Sequence, residues 1–255
     1  MDTSRLPGVG LLNVIDLGLE PYGRALDIQH LLVAARREQR IDDTMLLLRH
    51  PPVITIGRHG DIGNILVSGD WLDEHSVEFY RVERGGDVTY HGPGQLVGYP
   101  ILDLRKHRTD VGWYMHSLEE ALLRTLRHFG IPGMIQPDKI GVWLDEHTKI
   151  ASLGVRIEDW ITYHGFALNV AEDLSWFRLI VPCGLADTEM SSIERALGRT
   201  VDLKEVRDTL VYHFCALFGL VPQETSVDQL LLQTSRGELP GPAAHRSGRD
   251  PARGR

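Results

Sequence analysis

Cysteine is scarce in this sequence: its 255 residues contain two, Cys183 and Cys215. A disulfide scaffold cannot be built at that density. There is no C-x-x-C pair and no H-E-x-x-H run, and the twelve histidines are scattered, so neither a metal site nor a cofactor is expected. Long apolar runs are missing too. Nothing approaches the roughly 18 residues of a membrane span. The opening MDTSRLPGVG lacks a basic stretch followed by an apolar core, so no signal peptide is expected and a cytoplasmic, reducing setting is the default. Positive charge is in deficit, with a formal net charge of -8, which argues against non-specific nucleic-acid binding.

What is present suits one large globular domain with a core: 42% hydrophobic and 24% charged residues. Residues 235–255 are rich in glycine, proline and arginine and almost free of apolar side chains. They are expected to be a disordered tail, leaving 1–234 as the domain.

Periodicity places strands at Gly10–Leu17, Met45–Leu48, Val53–Ile56, Glu78–Glu83 and Gln95–Leu104. Pro51–Pro52 must form a corner between two of them, because a central strand cannot pass through a proline pair. Three more strands are predicted at Ile140–Leu144, Lys149–Ile157 and Trp160–Val170. Helices are predicted over Pro21–Arg40, Asp110–Phe129 and Asp202–Phe218, with Asp202 as an N-cap and Gly219 as a stop. Between two strands lies a glycine-rich bend, Gly85–Gly94. Strands and helices alternate irregularly, so the pattern favours α+β over a doubly wound parallel sheet.

Four segments carry more chemistry than structure requires. Cys183 sits in Ile180-Val181-Pro182-Cys183-Gly184-Leu185, a stiffened approach followed by a residue that tolerates close backbone contact. Locally it reads either as a nucleophile or as a buried small hydrophobe. Cys215, mid-helix among apolar neighbours, reads as core. A nucleophilic thiol titrates near 8.5 and needs a nearby cation to ionise at neutral pH. Lys149 heads a largely apolar strand in a chain with few lysines, and it reads either as that cation or as an ordinary strand-edge lysine. Arg84-Gly85-Gly86-Asp87-Val88-Thr89-Tyr90-His91-Gly92-Pro93-Gly94-Gln95 concentrates glycine with polar side chains, but it lacks the G-x-x-x-x-G-K-[ST] order of a phosphate loop. In His164-Gly165-Phe166-Ala167-Leu168-Asn169-Val170, Gly165 predicts a bulge or a close backbone approach.

Taken together and in order, RGGDVTYHGPGQ (Arg84–Gln95), KIASLGVR (Lys149–Arg156), HGFALNV (His164–Val170) and DLSWFRLIVPCG (Asp173–Gly184) resemble the lipoyl(octanoyl) transferases. The resemblance runs from about Val14 to Leu220. It implies a single α+β domain of the lipoate/biotin protein ligase catalytic type, a mixed sheet flanked by helices. It implies that Cys183 carries the acyl group as a thioester while Lys149 tunes the thiol and moves protons. It also implies that the acyl pocket is lined by Arg84, Gly85, Gly86, Asp87, Val88, Thr89, Tyr90, His91, Ser152, Leu153, Gly154, Gly165, Phe166 and Ala167. The implied donor is octanoyl-acyl carrier protein. The implied acceptors are lipoyl domains of 2-oxoacid dehydrogenase complexes and the glycine cleavage H protein. The rival readings are an ATP-dependent lipoate–protein ligase, which needs no cysteine nucleophile, and a non-catalytic module that binds lipoyl domains or carrier proteins. Acidic partners would need a basic face, for which Arg36, Arg37, Arg40 and Arg105–Arg108 are the candidates.

Overall fold

The corner at Pro51–Pro52 passes the chain from one sheet to another. The computed structural model describes residues 10–181 and 187–234. In chain order its elements are β1 (Gly10–Leu19), α1 (Tyr22–Arg37), β2 (Asp43–Arg49), β3 (Val53–Ile56), α2 (Gly69–Glu74), β4 (Glu78–Arg81), β5 (Val88–His91) and β6 (Gln95–Ile101). There follow α3 (Val111–His128), β7 (Met134–Gln136), β8 (Lys139–Trp143), β9 (Thr148–Glu158), β10 (Ile161–Asn169), β11 (Glu189–Met190), α4 (Ile193–Leu197), α5 (Leu203–Phe218), β12 (Leu220–Glu224) and α6 (Val227–Thr234). Cys183 and the 235–255 tail lie outside the described residues.

The larger sheet runs β12-β1-β2-β6-β10-β9-β8-β7, with β11 beside the start of β9. β12, β1 and β2 are mutually parallel; β2 through β7 continue antiparallel. This is the mixed sheet of the α+β expectation. β2 and β10 are central, so both of their faces are covered and their residues are almost all buried. One face packs on α3 and α5 through Leu118, Leu122, Leu210 and Phe214. The other packs on α1 and α6 through Ala25, Leu32, Val33 and Leu230. The helix ends follow from local chemistry. Asp110 accepts from Trp113 N at 2.9 Å and Asp202 from Lys204 N at 2.9 Å. Gly219 ends α5 at φ +65°, the left-handed region that a side chain disfavours.

A second, three-stranded sheet, β4-β3-β5, leans on this frame. Its core joins Ile54, Ile56 and Tyr90 to Leu72 of α2 and to Phe177 in the 3₁₀ turn Leu174–Leu179. The glycine-rich segment expected to be a bend therefore contains a strand, β5, paired antiparallel with β3. Gly165 is not a bulge, for the β9–β10 register is unbroken through Gly165↔Gly154. It is a close approach, since a Cβ there would strike the carbonyl of Gly98 on β6.

Of the arginines expected to offer a basic face, Arg36 is withdrawn from the surface. Arg36 is 1% exposed and donates to Asp43 Oδ1 at 2.8 Å. Arg37 lies beside Glu158 and Asp159, Arg40 beside Glu38, Arg105 beside Asp103 and Arg108 beside Asp110. These four stay partly exposed, each beside a carboxylate of its own chain, in pairs that are weak in water.

Candidate active site

The two sheets meet over a cleft of about 480 Å³, counting the space open to solvent. Its floor is the β9–β10 pair, where Ser152 faces Ala167, Leu153 faces Phe166 and Gly154 faces Gly165. Its wall is the segment leading into β5. That segment crosses to the large sheet where Gly85 N donates to Val155 O at 2.9 Å. A Cβ on Gly154 would sit 3.1 Å from Gly85 O, so the missing side chain is what lets wall and floor touch.

Of the residues named from sequence, Arg84, Gly86, Asp87, Val88, Thr89, His91, Ser152, Leu153, Gly154, Gly165, Phe166 and Ala167 line this cleft. Gly85 and Tyr90 do not. Tyr90 points into the small-sheet core, stacked on Trp176 at 5.7 Å, and its hydroxyl donates to Glu172 Oε1 at 3.5 Å. Three lining residues were absent from the predicted set: Tyr22, Tyr99 and His164.

The polar groups around the cleft are deeply buried. The Arg84 guanidinium, in a side chain 6% exposed, donates to Thr55 O and Thr55 Oγ1, each at 2.8 Å, and to Gly85 O at 3.0 Å. His50, behind the lining, has Nδ1 2.7 Å from Glu20 O and Nε2 2.7 Å from the Tyr99 hydroxyl. A carbonyl only accepts, so Nδ1 carries the proton and Tyr99 donates to Nε2. Burial pushes the pKa of His50 down to about 4, keeping the ring neutral. His91 is pushed down to about 3, first by burial and then by repulsion from His50. Gln95 donates to Tyr90 O at 3.1 Å, so its Oε1 is free to accept from His91 Nδ1 at 2.9 Å. That leaves His91 Nε2 as an unprotonated acceptor.

His164 is 1% exposed and adopts φ +52°, a conformation that non-glycine residues rarely take. Its amide donates to Gln29 Oε1 at 2.8 Å, which ties α1 to the strained position. Neither ring nitrogen has a hydrogen bond among the described residues; Nε2 stands 3.7 Å from Glu83 Oε1. Burial lowers the imidazole pKa. Glu83 is held well below the usual carboxylate range by His164 and by His30, whose Nε2 is 2.8 Å away.

Lys149 lies near the start of β9, the strand that supplies Ser152–Gly154, and is 2% exposed. Its ammonium sits 5.0 Å from the centre of the Trp143 ring. A Cβ on Gly141 would fall on the lysine stem; this glycine, at φ +127°, leaves room for it. Gly141 N donates to Glu119 Oε1 at 2.9 Å. The Glu119 carboxyl is pushed up by burial, an effect that the backbone hydrogen bond and the charges of His116 and Lys149 oppose. The chain returns after Cys183 against this same lysine: Met190 pairs with Lys149, and Ser191 N donates to Lys149 O at 2.8 Å. Asn169, at the end of the HGFALN run, fixes that return by donating to Ser191 O at 2.9 Å. On the approach side Val181 N donates to Asn64 O at 2.8 Å. Cys215 is buried in the helical face of the core, its thiol pushed up to about 12 by desolvation. Among the described residues no group of three His, Cys, Asp or Glu side chains is disposed to hold a metal ion, and no helix is long and apolar enough to cross a membrane.

An apolar cleft between two sheets, rimmed by buried polar heads, is the form of a small-molecule or acyl-binding site. The lipoyl protein ligase A/B catalytic domain matches residues 21–215. An octanoyltransferase of Solibacter usitatus is 49% identical over 202 residues, covering 79% of this chain and 90% of its own. One of Caldicellulosiruptor bescii is 47% identical over 210 residues, covering 82% and 92%. Among solved structures, lipoate-protein ligase A bound with ATP superposes with a TM-score of 0.71 at 16% identity, covering 88% of this chain and 93% of that one. A bipartite lipoate protein ligase of Thermoplasma acidophilum gives 0.69 at 17%, covering 88% and 91%. The chain belongs to the lipoyl protein ligase A/B catalytic domain family.

Proposed function

We propose that this chain is an octanoyltransferase of lipoate biosynthesis, moving an octanoyl group from the thioester of acyl carrier protein through Cys183 to a lysine of a lipoyl domain. The acceptors would be the lipoyl domains of 2-oxoacid dehydrogenase complexes and the glycine cleavage H protein. The observation that carries this reading is the continuity of β9: buried Lys149 and the cleft-lining Ser152–Gly154 stand on one strand, and the chain on the far side of Cys183 returns against that lysine. An acyl pocket and a proton-carrying cation are thereby held rigidly with respect to each other.

In the first half-reaction the Cys183 thiolate attacks the thioester carbonyl carbon. The tetrahedral adduct collapses with rupture of the carbon–sulfur bond to the carrier, whose departing thiolate takes a proton from the Lys149 ammonium. In the second half the neutral acceptor amine attacks the acyl-enzyme and the Cys183 thiolate leaves. The proton lost by the nitrogen returns to Lys149, closing its cycle. Thioester exchange is nearly balanced in free energy and amide formation from a thioester runs downhill, so no nucleotide is consumed. Backbone amides near the carbonyl would stabilise the oxyanion, each by roughly 3 kcal/mol in comparable sites.

The test is intact-mass spectrometry after incubation with octanoyl-acyl carrier protein, without nucleotide. A hydroxylamine-labile octanoyl adduct mapping to Cys183, discharged by added lipoyl domain, is the expected result. No adduct, together with strict dependence on ATP, would assign the chain to the ligases of its fold.

A further inference from the structure

Asp87 lines the cleft, yet its carboxylate is engaged by the neighbouring loop: Oδ1 accepts from Asp61 N at 3.0 Å and Oδ2 from Asn64 Nδ2 at 2.5 Å. A bare carboxylate beside an octanoyl chain would cost desolvation energy, and turning it onto two donors removes that conflict. Asn64 itself is not a lining residue. Its carbonyl accepts from Val181 N at 2.8 Å, Ile65 bridges Ile180, and Leu66 N donates to Leu179 O at 2.8 Å. The link from the cleft wall is therefore continuous: Asp87 holds the side chain of Asn64, and the backbone from Asn64 to Leu66 holds Leu179–Val181, the residues that lead to Pro182 and Cys183 in the sequence.

We infer that Asp87 and Asn64 are positioning residues, which register Leu179–Val181, the approach to Cys183 in the sequence, against the cleft wall and thereby support turnover at Cys183. The inference rests on the reading of Cys183 as the acyl acceptor. It assigns Asp87, named from sequence as a substrate contact, a different task. A hydrogen bond to a charged group is stronger than one between neutral groups, and the Asp61 amide holds the other carboxylate oxygen.

The experiment compares the full-length protein with Asn64→Ala, Asn64→Asp, Asp87→Asn and the exchanged pair Asp87→Asn/Asn64→Asp. Readouts are kcat and KM for octanoyl-acyl carrier protein and the rate of Cys183 alkylation by iodoacetamide. Asn64→Ala should lower kcat about tenfold, the loss of a hydrogen bond to a charged group, with KM little changed. Asn64→Asp sets two carboxylates against each other and should be slower still. The exchanged pair restores one donor and one acceptor and should recover most of that loss in both readouts. An exchanged pair no faster than Asn64→Asp, or an Asn64→Ala protein with the parent's kcat, overturns the inference. Thermal unfolding separates misfolding from misplacement: if Asn64→Asp does not fold, recovery of folding and kcat by the exchange supports the link. Failure of the underlying reading shows elsewhere, as full transfer by Cys183→Ser, whatever Asn64 does.

Discussion

Lys149 lies with its ammonium 5.0 Å from the centre of the Trp143 ring, inside the protein and on the strand that floors the cleft between the two sheets. An aromatic face at this distance attracts a cation through its quadrupole. Glu119, on α3, holds the neighbouring Gly141 amide. In the proposed function a lysine at this position serves as a cation and as a proton carrier.

Replacing Lys149 separates these functions. Lys149→Met keeps the stem volume, loses the charge, and should slow transfer at least about a hundredfold, the usual contribution of a positioned acid–base group. It should also shift the pH profile of Cys183 alkylation upward. Lys149→Arg should restore part of the alkylation rate but little turnover, because arginine keeps its proton. Normal turnover by Lys149→Arg would show that only charge matters; an unchanged profile for Lys149→Met would move the activating role to another group.

Cys215 should be chemically silent. Its thiol is buried on α5 and pushed up to about 12 by desolvation, so almost none is thiolate at neutral pH. Cys215→Ser should leave turnover within about twofold of the parent, at a stability cost of roughly 1–3 kcal/mol for a hydroxyl placed in an apolar face. Peptide mapping that finds the acyl adduct on Cys215 would reverse the assignment.

Ala167 should act as a ruler for acyl length. It lines the cleft, faces Ser152 across β9–β10, and is 5% exposed. Ala167→Leu adds three carbons to the floor, where each buried methylene of substrate is worth about 0.8 kcal/mol. Relative kcat/KM should therefore shift from octanoyl toward butanoyl and hexanoyl carriers. A parallel fall for all three lengths would place the bound chain elsewhere.

Sequence and structure agree where patterns are local. The runs that became β2, β3, β9 and β10, the Pro51–Pro52 corner, and the cap Asp202 were all legible, because each depends on neighbours in the chain. β5 was hidden because glycines flank it and its alternation is split between two environments: Tyr90 enters the small-sheet core while Thr89 and His91 face the cleft. Tyr22 and Tyr99 escaped notice for a related reason. Each occupies an apolar position of its helix or strand, and their meeting with His50 and His91 depends on the sheets packing together. The signal available was polar: His50 directly follows an apolar strand and directly precedes the proline corner, a place where a histidine needs a buried partner. Arg36 shows the converse error. The helix-end pattern suggested a solvated cation, and only the start of β2 reveals Asp43 waiting for it.

The buried imidazoles make stability depend on pH in a direction that can be worked out. His50 and His91 titrate at about 4 and about 3 in the folded protein, against about 6.5 in an unfolded chain. Above pH 6.5 both are neutral in both states and contribute no slope. As the pH falls below 6.5 the unfolded chain takes up a proton at each ring while the folded protein does not, so stability is lost. The loss continues until the folded rings protonate, near pH 4 and pH 3. Each histidine contributes up to about 1.4 kcal/mol per pH unit within its window. Glu119 and Glu172, pushed up by burial, act in the opposite sense nearer the carboxylate range; comparing variants cancels them. His50→Gln leaves a donor for the Glu20 carbonyl and an acceptor for the Tyr99 hydroxyl while removing the titration. It should be less stable than the parent at pH 7.5, yet lose less on acidification, so that the two curves converge between pH 6.5 and 4.5. Urea unfolding at half-unit steps across that range measures the difference directly. Parallel curves would mean that His50 is protonated equally in both states, and the neutral His50–Tyr99 hydrogen bond behind the cleft would have to be abandoned.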